Sequence, residues 1–271
     1  MNITGRTTVF TILSHPSSWV VAPMIYNQIF NALDLDMVYI AHDVIPDAIN
    51  ATIRYFAGWE NLGGFNVTIP HKETVAHLLD TRCPVTSRIG VVNTVVRLED
   101  GTFCGYNTDG IGALHALGDV HGARCLVIGA GGAAKAIIDA LIHGGADFIY
   151  LLNRSESRAD KVIKLFKKEK TGEYADDVLD SIDIVVQATP ITDTVPFGLD
   201  LGRIKKKARC LETAMRPTAF ADKASSLGLE VIPGYAMLYN QTKRNFRLFT
   251  GMDVADDVIK TAFKQIGYVA K

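Results

Sequence analysis

One continuous stretch, residues 122–166, constrains the fold more than any other part of the sequence. It reads GARCLVIGAGGAAKAIIDALIHGGADFIYLLNRSESRADKVIKLF: an apolar strand, a glycine-rich turn, a helix, a second apolar strand and a second helix. Two strands joined through a helix lie parallel, because a parallel pair needs a long crossover connection. The stretch therefore predicts a βαβ unit of the Rossmann, doubly wound kind.

The turn GAGGAA lies directly between the first strand and the first helix of this unit. Glycine permits a tight turn and a close backbone approach, and a helix N-terminus offers N–H groups and the positive end of its dipole. We therefore predict that the turn binds the pyrophosphate of a dinucleotide.

The second strand ends in NRSESR, at the place where an NAD-binding fold carries an acidic residue for the ribose 2′-hydroxyl. Asn153, Arg154, Ser155 and Arg158 offer hydrogen-bond donors instead, which suit a 2′-phosphate. The alternative is a solvated helix start. The pattern favours NADP over NAD.

Strand-like and helix-like runs also alternate before residue 90, which predicts a parallel-rich α/β sheet. VVNTVVRLEDGTFCGYN then predicts a hairpin around Glu99-Asp100-Gly101. We expect two domains, an α/β domain over residues 1–120 and a Rossmann domain over residues 121–236. We also expect C-terminal helices over residues 237–271 that pack back on the first domain.

Composition limits the class of partner. The formal net charge is −1, which favours a small molecule over nucleic acid or an anionic membrane. The four cysteines lie far apart, without CxxC or histidine at ligand spacing, so we predict reduced thiols and no metal site. No signal peptide or membrane span is indicated, and we expect a cytoplasmic protein.

Two charged residues stand at loop-to-helix junctions. NVTIPHKE places Lys72 one turn into a helix that follows a strand end, and GYNTDGIG places Asp109 at the start of another helix. Taken separately, a solvated lysine and a helix N-cap explain them well. Their neighbours change this interpretation.

The motifs NVTIPHK, IGVVNT, GYNTDG, VIGAGGAAKA, NRS and GYAMLYNQ occur in the order and at the spacings of the shikimate dehydrogenase family, which the chain resembles over essentially its full length. The resemblance implies a substrate domain, an NADP-binding Rossmann domain, and a cleft between them. It implies reversible conversion of 3-dehydroshikimate to shikimate with NADPH, or action on a related polyhydroxylated ring, by a monomer or homodimer.

The resemblance also implies roles for individual residues. Lys72 matches the general acid/base, and Asp109 the carboxylate that orients it and binds a substrate hydroxyl. Matches to substrate-binding positions are Thr68, Asn93, Gln241 and the supporting Asn66. Matches to the pyrophosphate loop are Gly129, Ala130, Gly131, Gly132 and Ala133; those to the 2′-phosphate clamp are Asn153, Arg154, Ser155 and Arg158; weaker nicotinamide-side matches are Ala188, Thr189 and Met237.

The chain departs from the family at the substrate end. Val20 and Ala22 stand where the family has two serines that hold the substrate carboxylate, Trp19 replaces a histidine, and Met215 a tyrosine. We expect weakened shikimate binding unless a nearby hydroxyl substitutes; the candidates are Ser17, Ser18, Tyr26 and Tyr239.

Three alternatives stay open. One is a quinate or cyclitol dehydrogenase of the same family. Another is a binding protein that responds to NADP without catalysis. A folate- or tRNA-linked reductase of similar architecture is disfavoured, because NVTIPHK and GYNTDG are not typical of those families.

Overall fold

The structure is a computed structural model that describes residues 2–166 and 170–268. It divides into two compact units. Unit 1 comprises Met1–Thr108 and Thr242–Lys271, and unit 2 comprises Asp109–Gln241. The domain limits at residues 120 and 236 stay a prediction.

Unit 1 is built on a mixed six-stranded sheet. Its strands are β1 Thr8–Ser14, β2 Met37–Asp43, β3 Leu62–Val67, β4 Thr81–Arg82, β5 Thr94–Arg97 and β6 Phe103–Tyr106, in the order β2-β1-β3-β5-β6-β4. β1 is parallel to β2 and β3, whereas β3, β5 and β6 are antiparallel neighbours. The predicted parallel-rich sheet and the β5–β6 hairpin are thus confirmed.

Helices of unit 1 follow the predicted alternation. They are α1 Ala22–Ala32, α2 Ile49–Ala57, α3 Lys72–Leu78, the short α4 Pro84–Ile89, and α10 Asp256–Gln265. The sequence did not predict α4 or β4, because six and two residues are too few for a periodic pattern. The core under α2 and α3 includes the edge-to-face rings of Phe56, Phe65 and Phe103.

Unit 2 is an all-parallel, doubly wound sheet, as predicted. Its strands are β7 Arg124–Ile128, β8 Phe148–Leu152, β9 Thr171–Glu173, β10 Ile184–Gln187, β11 Arg209–Glu212 and β12 Glu230–Ile232, in the order β12-β11-β10-β7-β8-β9. Its helices are α5 Asp109–Leu117, α6 Gly132–His143, α7 Glu156–Leu165 and α8 Ala219–Ser226; α9, Gly234–Thr250, begins in unit 2 and ends in unit 1. β7 lies where the strand order reverses, which is where such sheets bind ligands.

The four cysteines, Cys83, Cys104, Cys125 and Cys210, form no disulfide with one another. Burial raises the pKa of Cys125 and of Cys210 to about 12, so both are unreactive thiols at neutral pH. Across the described ranges, no group of three or more His, Cys, Asp and Glu residues is arranged to hold a metal ion. No helix in the same ranges has both the length and the apolar character needed to cross a membrane.

Candidate active site

Lys72 lies at the sheet edge of unit 1 where β1 and β3 end. It is the first residue of α3 and is half-buried. Its backbone carbonyl accepts a hydrogen bond from the Val92 N–H at 3.1 Å, which ties the start of α3 to the segment that leads into β5. The preceding residue, His71, donates from Nε2 to the Val44 carbonyl at 2.7 Å, and burial lowers its pKa. His71 therefore adds no positive charge beside the lysine at neutral pH.

Two predicted substrate-binding residues of unit 1 lie beside Lys72. Thr68 directly follows β3, is half-buried, and donates its N–H to the Leu13 carbonyl at 3.0 Å. Asn93, 5% exposed, accepts through its backbone carbonyl from Val67 N–H at 2.8 Å. Backbone hydrogen bonds thus join the segments that carry Thr68, Lys72 and Asn93 into one edge.

Two predicted site residues of unit 2 are in direct contact. Gln241 Nε2 donates to Asp109 Oδ1 at 3.1 Å, and Asp109 is 3% exposed. Gly112 makes this contact possible, because a Cβ there would lie 2.6 Å from Gln241 Cγ and 2.9 Å from the Met237 carbonyl. The second glycine of DGIG therefore lets α5 and α9 approach closely enough to join the pair.

The glycine turn of unit 2 has the geometry of an anion site. Gly129 has φ +112°, and a Cβ there would lie 3.0 Å from the Ala188 carbonyl, so only glycine fits without strain. Gly131 caps α6 with extended backbone, no side chain caps the helix, and no atom lies within 4 Å of the position of an added Cβ. The first turn of α6 therefore has no side-chain cap among the described residues, an arrangement typical of anion-binding helix N-termini.

The residues after β8 add cationic donors to the same end of the unit 2 sheet, where β7 and the glycine turn meet. Asn153 Nδ2 donates to the Ser155 carbonyl at 2.9 Å, and Ser155 is the N-cap residue of α7. Arg154 and Arg158 are exposed, and neither forms an ion pair within residues 2–166 and 170–268. Ala188 and Thr189 lie across β7 from them, on the loop after β10.

Two buried polar residues that the sequence analysis missed hold the loops of unit 2. Gln187 ends β10, is fully buried, and binds Thr189 and Ile191 through its side-chain amide. Glu212 ends the neighbouring β11 and accepts from Ala214 N–H at 2.9 Å and the Thr218 hydroxyl at 2.6 Å. The sequence signal for both residues was a polar side chain at the end of an otherwise apolar strand.

Glu212 leads to a prediction about stability. Burial raises the pKa of Glu212, so the folded protein binds the carboxyl proton more tightly than the unfolded chain does. The contribution of Glu212 to stability is therefore largest below its unfolded pKa and decreases as pH rises through its folded pKa. Glutamine does not titrate. We expect the melting temperature of Glu212→Gln minus that of the wild type to rise by about 2–4 °C between pH 4 and pH 8.

The control for this series is Glu230→Gln, the same change at an exposed position on β12. Its difference from the wild type should stay flat across the same pH range in differential scanning calorimetry. A Glu212→Gln difference that falls as pH rises would contradict the assignment.

The loop between β1 and α1 carries the departures from the family pattern. It is held by Asp43, whose carboxylate accepts from Ser17 N–H and pairs with His15 Nδ1, both at 2.8 Å. The His15 and Ser17 hydrogen bonds lower the pKa of Asp43. Val20 is half-buried and Ala22, the first residue of α1, is 8% exposed, so neither offers a side-chain hydroxyl at this edge.

The hydroxyls considered as replacements differ in their surroundings. Ser17 is half-buried and Ser18 is exposed, both on the loop. Tyr26 lies in the core of unit 1, 2% exposed and stacked on Tyr39 at 4.6 Å between ring centroids. Burial raises the pKa of Tyr26, and its hydroxyl is hydrogen-bonded by Asn245. Of these three, the two serines are better placed to meet a ligand.

Family models match most of the chain. The shikimate dehydrogenase substrate binding domain matches residues 12–95, and the shikimate / quinate 5-dehydrogenase domain matches residues 112–211. A shikimate dehydrogenase (NADP(+)) from Methanothermobacter thermautotrophicus is 34% identical over 97% of this chain and 98% of that protein.

Solved structures agree with these matches. Shikimate dehydrogenase from Aquifex aeolicus superposes with a TM-score of 0.88 at 28% identity, covering 97% of this chain and all of that one (100%). A 5-ketofructose reductase from Gluconobacter sp. strain CHM43, in its ligand-free form, superposes with a TM-score of 0.83 at 27% identity, with coverage of 97% and 100%. The same fold therefore carries enzymes named for different substrates.

Proposed function

The chain belongs to the shikimate dehydrogenase family, and on that premise we propose that it is an NADP-dependent dehydrogenase that interconverts a hydroxyl and a ketone on a polyhydroxylated ring. The observation that carries the proposal is the unit 1 edge on which backbone hydrogen bonds join the segments of Thr68, Lys72 and Asn93. We further propose a cytoplasmic enzyme, monomeric or homodimeric.

Lys72 is the proton donor and acceptor of this proposal. The nicotinamide of bound NADP(H) supplies or accepts the hydride. Hydride delivery to a ketone carbon leaves negative charge on its oxygen, so a positioned acid must protonate it, and the reverse reaction needs the same group as a base. An ammonium group on the first turn of α3 suits both directions. Asp109 binds a substrate hydroxyl, as the family motif implies.

The unit 2 edge fits a 2′-phosphorylated dinucleotide. The uncapped N-terminus of α6 would hold the pyrophosphate, with Gly129 to Ala133 as its turn. Arg154 and Arg158 are exposed and form no ion pair in the described chain, so both are available to a 2′-phosphate. An acidic side chain at the same place would repel that phosphate. Ala188, Thr189 and Met237 then serve the nicotinamide side.

We propose that the preferred substrate carries a neutral group where shikimate carries its carboxylate. Val20 and Ala22 provide no hydroxyl to bind a carboxylate, and Asp43, at the end of β2, places a negative charge against the loop that carries Val20. The similarity to a 5-ketofructose reductase supports this substrate class, because a ketosugar has no carboxylate. A quinate or cyclitol dehydrogenase remains a second candidate within the same chemistry.

A substrate panel tests the function. Purified protein is mixed with NADP⁺ or NAD⁺ and titrated with shikimate, quinate and carboxylate-free cyclitols, and with NADPH and 5-keto-D-fructose, while the reduced-nicotinamide absorbance is followed. We expect saturable turnover with NADP(H), and a higher kcat/KM for a neutral compound than for shikimate.

Two results would change the assignment. Tight saturation by shikimate would mean that Ser17 or Ser18 replaces the lost hydroxyls. Tight NADP binding with no turnover of any compound would support the non-catalytic binding protein instead, because ordinary enzymes turn over at about 1 per second or faster.

A further inference from the structure

Seven polar side chains form a buried hydrogen-bonded cluster in unit 1, which we call the amide network. Each member is at most 7% exposed. The members are Tyr26, Tyr39, Asn66, Asn93, Thr94, Thr108 and Asn245. They come from distant segments of the sequence; Thr94 and Asn245, which are directly hydrogen-bonded, are 151 positions apart. Buried polar groups are costly unless every one is paired, so such a network specifies the orientation of its members.

The first branch of the amide network runs from Tyr39 through Asn66. The Tyr39 hydroxyl donates to Asn66 Oδ1 at 2.6 Å. Asn66 Nδ2 donates to the Asn93 backbone carbonyl and to Thr94 Oγ1, each at 3.0 Å. Both N–H groups of the Asn66 amide are therefore used inside the protein. We accordingly assign Asn66 to positioning Asn93 and not to holding the substrate.

The second branch fixes the amide of Asn93 through Thr108. Thr108 N–H donates to Asn93 Oδ1 at 2.9 Å, and Asn93 Nδ2 donates to Thr108 Oγ1 at 3.1 Å. The Thr108 hydroxyl hydrogen then points to Asn245 Oδ1 at 2.9 Å. A hydroxyl has a single hydrogen, so the acceptor on Asn245 determines which way Thr108 faces Asn93.

Thr94 connects the two branches. Its Oγ1 accepts from Asn66, so its own hydrogen goes to Asn93 Oδ1 at 2.8 Å or to Asn245 Oδ1 at 2.9 Å. In either case the oxygen of Asn245 and the oxygen of Asn93 face the hydroxyls, and the nitrogen of Asn93 faces away from Thr94. Without Asn245, the hydrogen of the Thr108 hydroxyl would turn to Asn93 Oδ1, which lies 3.3 Å away.

We infer that Tyr39 and Asn245 are positioning residues that hold the Asn93 amide in place for a substrate hydroxyl. The inference rests on the proposed function, in which Asn93 is a substrate-binding residue beside Lys72. The Thr108 N–H keeps Oδ1 as the acceptor end of the amide. Removing Tyr39 or Asn245 therefore displaces the Asn93 amide without reversing it, and one hydrogen bond to the substrate is lost. That loss corresponds to a rise in KM of about 5- to 15-fold.

The test uses Asn245→Leu and Tyr39→Phe in the full chain. Steady-state kinetics with shikimate and with 5-keto-D-fructose should show the rise in KM in both variants, with kcat and the Kd of NADP⁺ within about 2-fold of the wild type. Thr11→Val is the matched control, because it deletes another fully buried hydroxyl of unit 1, which donates to the Ile40 carbonyl outside the network. We expect Thr11→Val to lower the melting temperature and to leave KM unchanged.

A second measurement does not depend on activity. In protein labelled with ¹⁵N-asparagine, the side-chain amide of Asn93 should exchange slowly with solvent, and Asn245→Leu should speed that exchange by about 10-fold or more. Loss of thermal stability in Asn245→Leu and Tyr39→Phe with unchanged KM and unchanged Asn93 exchange would overturn the inference. Absence of all turnover in the wild type would refute the proposed function, while the exchange data would still decide whether Asn245 fixes Asn93.

Discussion

Replacing Lys72 with alanine is expected to lower kcat by about 10²- to 10⁴-fold, the range that a general acid or base contributes. The reaction in either direction moves a proton at the substrate oxygen, and alanine offers no group to carry it. Binding of NADP⁺ should stay within about 2-fold of the wild type, because the pyrophosphate and 2′-phosphate positions that we propose belong to unit 2. Stopped-flow single-turnover traces and fluorescence titration of the cofactor measure the two quantities separately.

The control for this variant is Lys260→Ala, which removes an exposed lysine from α10. It should leave both kcat and cofactor binding unchanged. Turnover in Lys72→Ala equal to that of the wild type would exclude Lys72 as the proton donor. A parallel loss of cofactor binding would indicate instead that the change disturbs the fold.

The α/β class was predictable because each βα step repeats a strong local pattern. The stretch around GAGGAA combines strand, turn and helix within about one crossover unit, so local chemistry alone indicates the parallel sheet of unit 2. The lack of a side-chain cap on α6 and the close approach of Gly129 to Ala188 agree with that local pattern.

The amide network was not predictable in the same way. Asn245 lies on a helix near the end of the chain, and its partner Thr94 begins a strand 151 positions earlier. Thr94 ends the motif IGVVNT, whereas Asn245 belongs to no motif, and nothing in the local sequence of either residue indicates the other. Their contact depends on the tertiary packing of unit 1, which no periodicity in the sequence encodes. Glu212 and Gln187 were missed for a related reason, since their partners are backbone groups and threonine hydroxyls of the following loops.

The motif residues occupy an intermediate position. Their order in the sequence indicated the family, and the structure joins Thr68, Lys72 and Asn93 through backbone hydrogen bonds of unit 1, and Asp109 to Gln241 within unit 2. The resemblance could not separate residues that meet a ligand from residues that hold their neighbours. Asn66 illustrates the difference. Its side-chain amide is hydrogen-bonded to Tyr39, Asn93 and Thr94 inside the protein, and the sequence does not indicate these contacts.

Restoring hydroxyls to the loop before α1 is expected to convert the enzyme toward shikimate. The double variant Val20→Ser, Ala22→Ser should raise kcat/KM for shikimate by about 10²- to 10⁴-fold, since each hydrogen bond to a charged group is worth about 1.5–3 kcal/mol. The gain should appear mainly in KM, because a carboxylate remote from the reacting carbon is bound equally in the ground and transition states. Steady-state kinetics with shikimate and with a carboxylate-free substrate, measured on the same preparations, give the ratio of the two kcat/KM values in each variant.

Val21→Ser is the matched control for this switch, because it adds a hydroxyl and removes apolar surface between the two positions, at the N-cap residue of α1. A gain for shikimate in Val21→Ser as large as in the double variant would mean that general polarity, and not the two matched positions, governs carboxylate binding. No gain in the double variant would mean that Ser17 or Ser18 already binds the carboxylate, or that repulsion by Asp43, which contacts the loop from the end of β2, dominates. Adding Asp43→Asn to the double variant separates these cases, because only repulsion by Asp43 is relieved when its charge is removed.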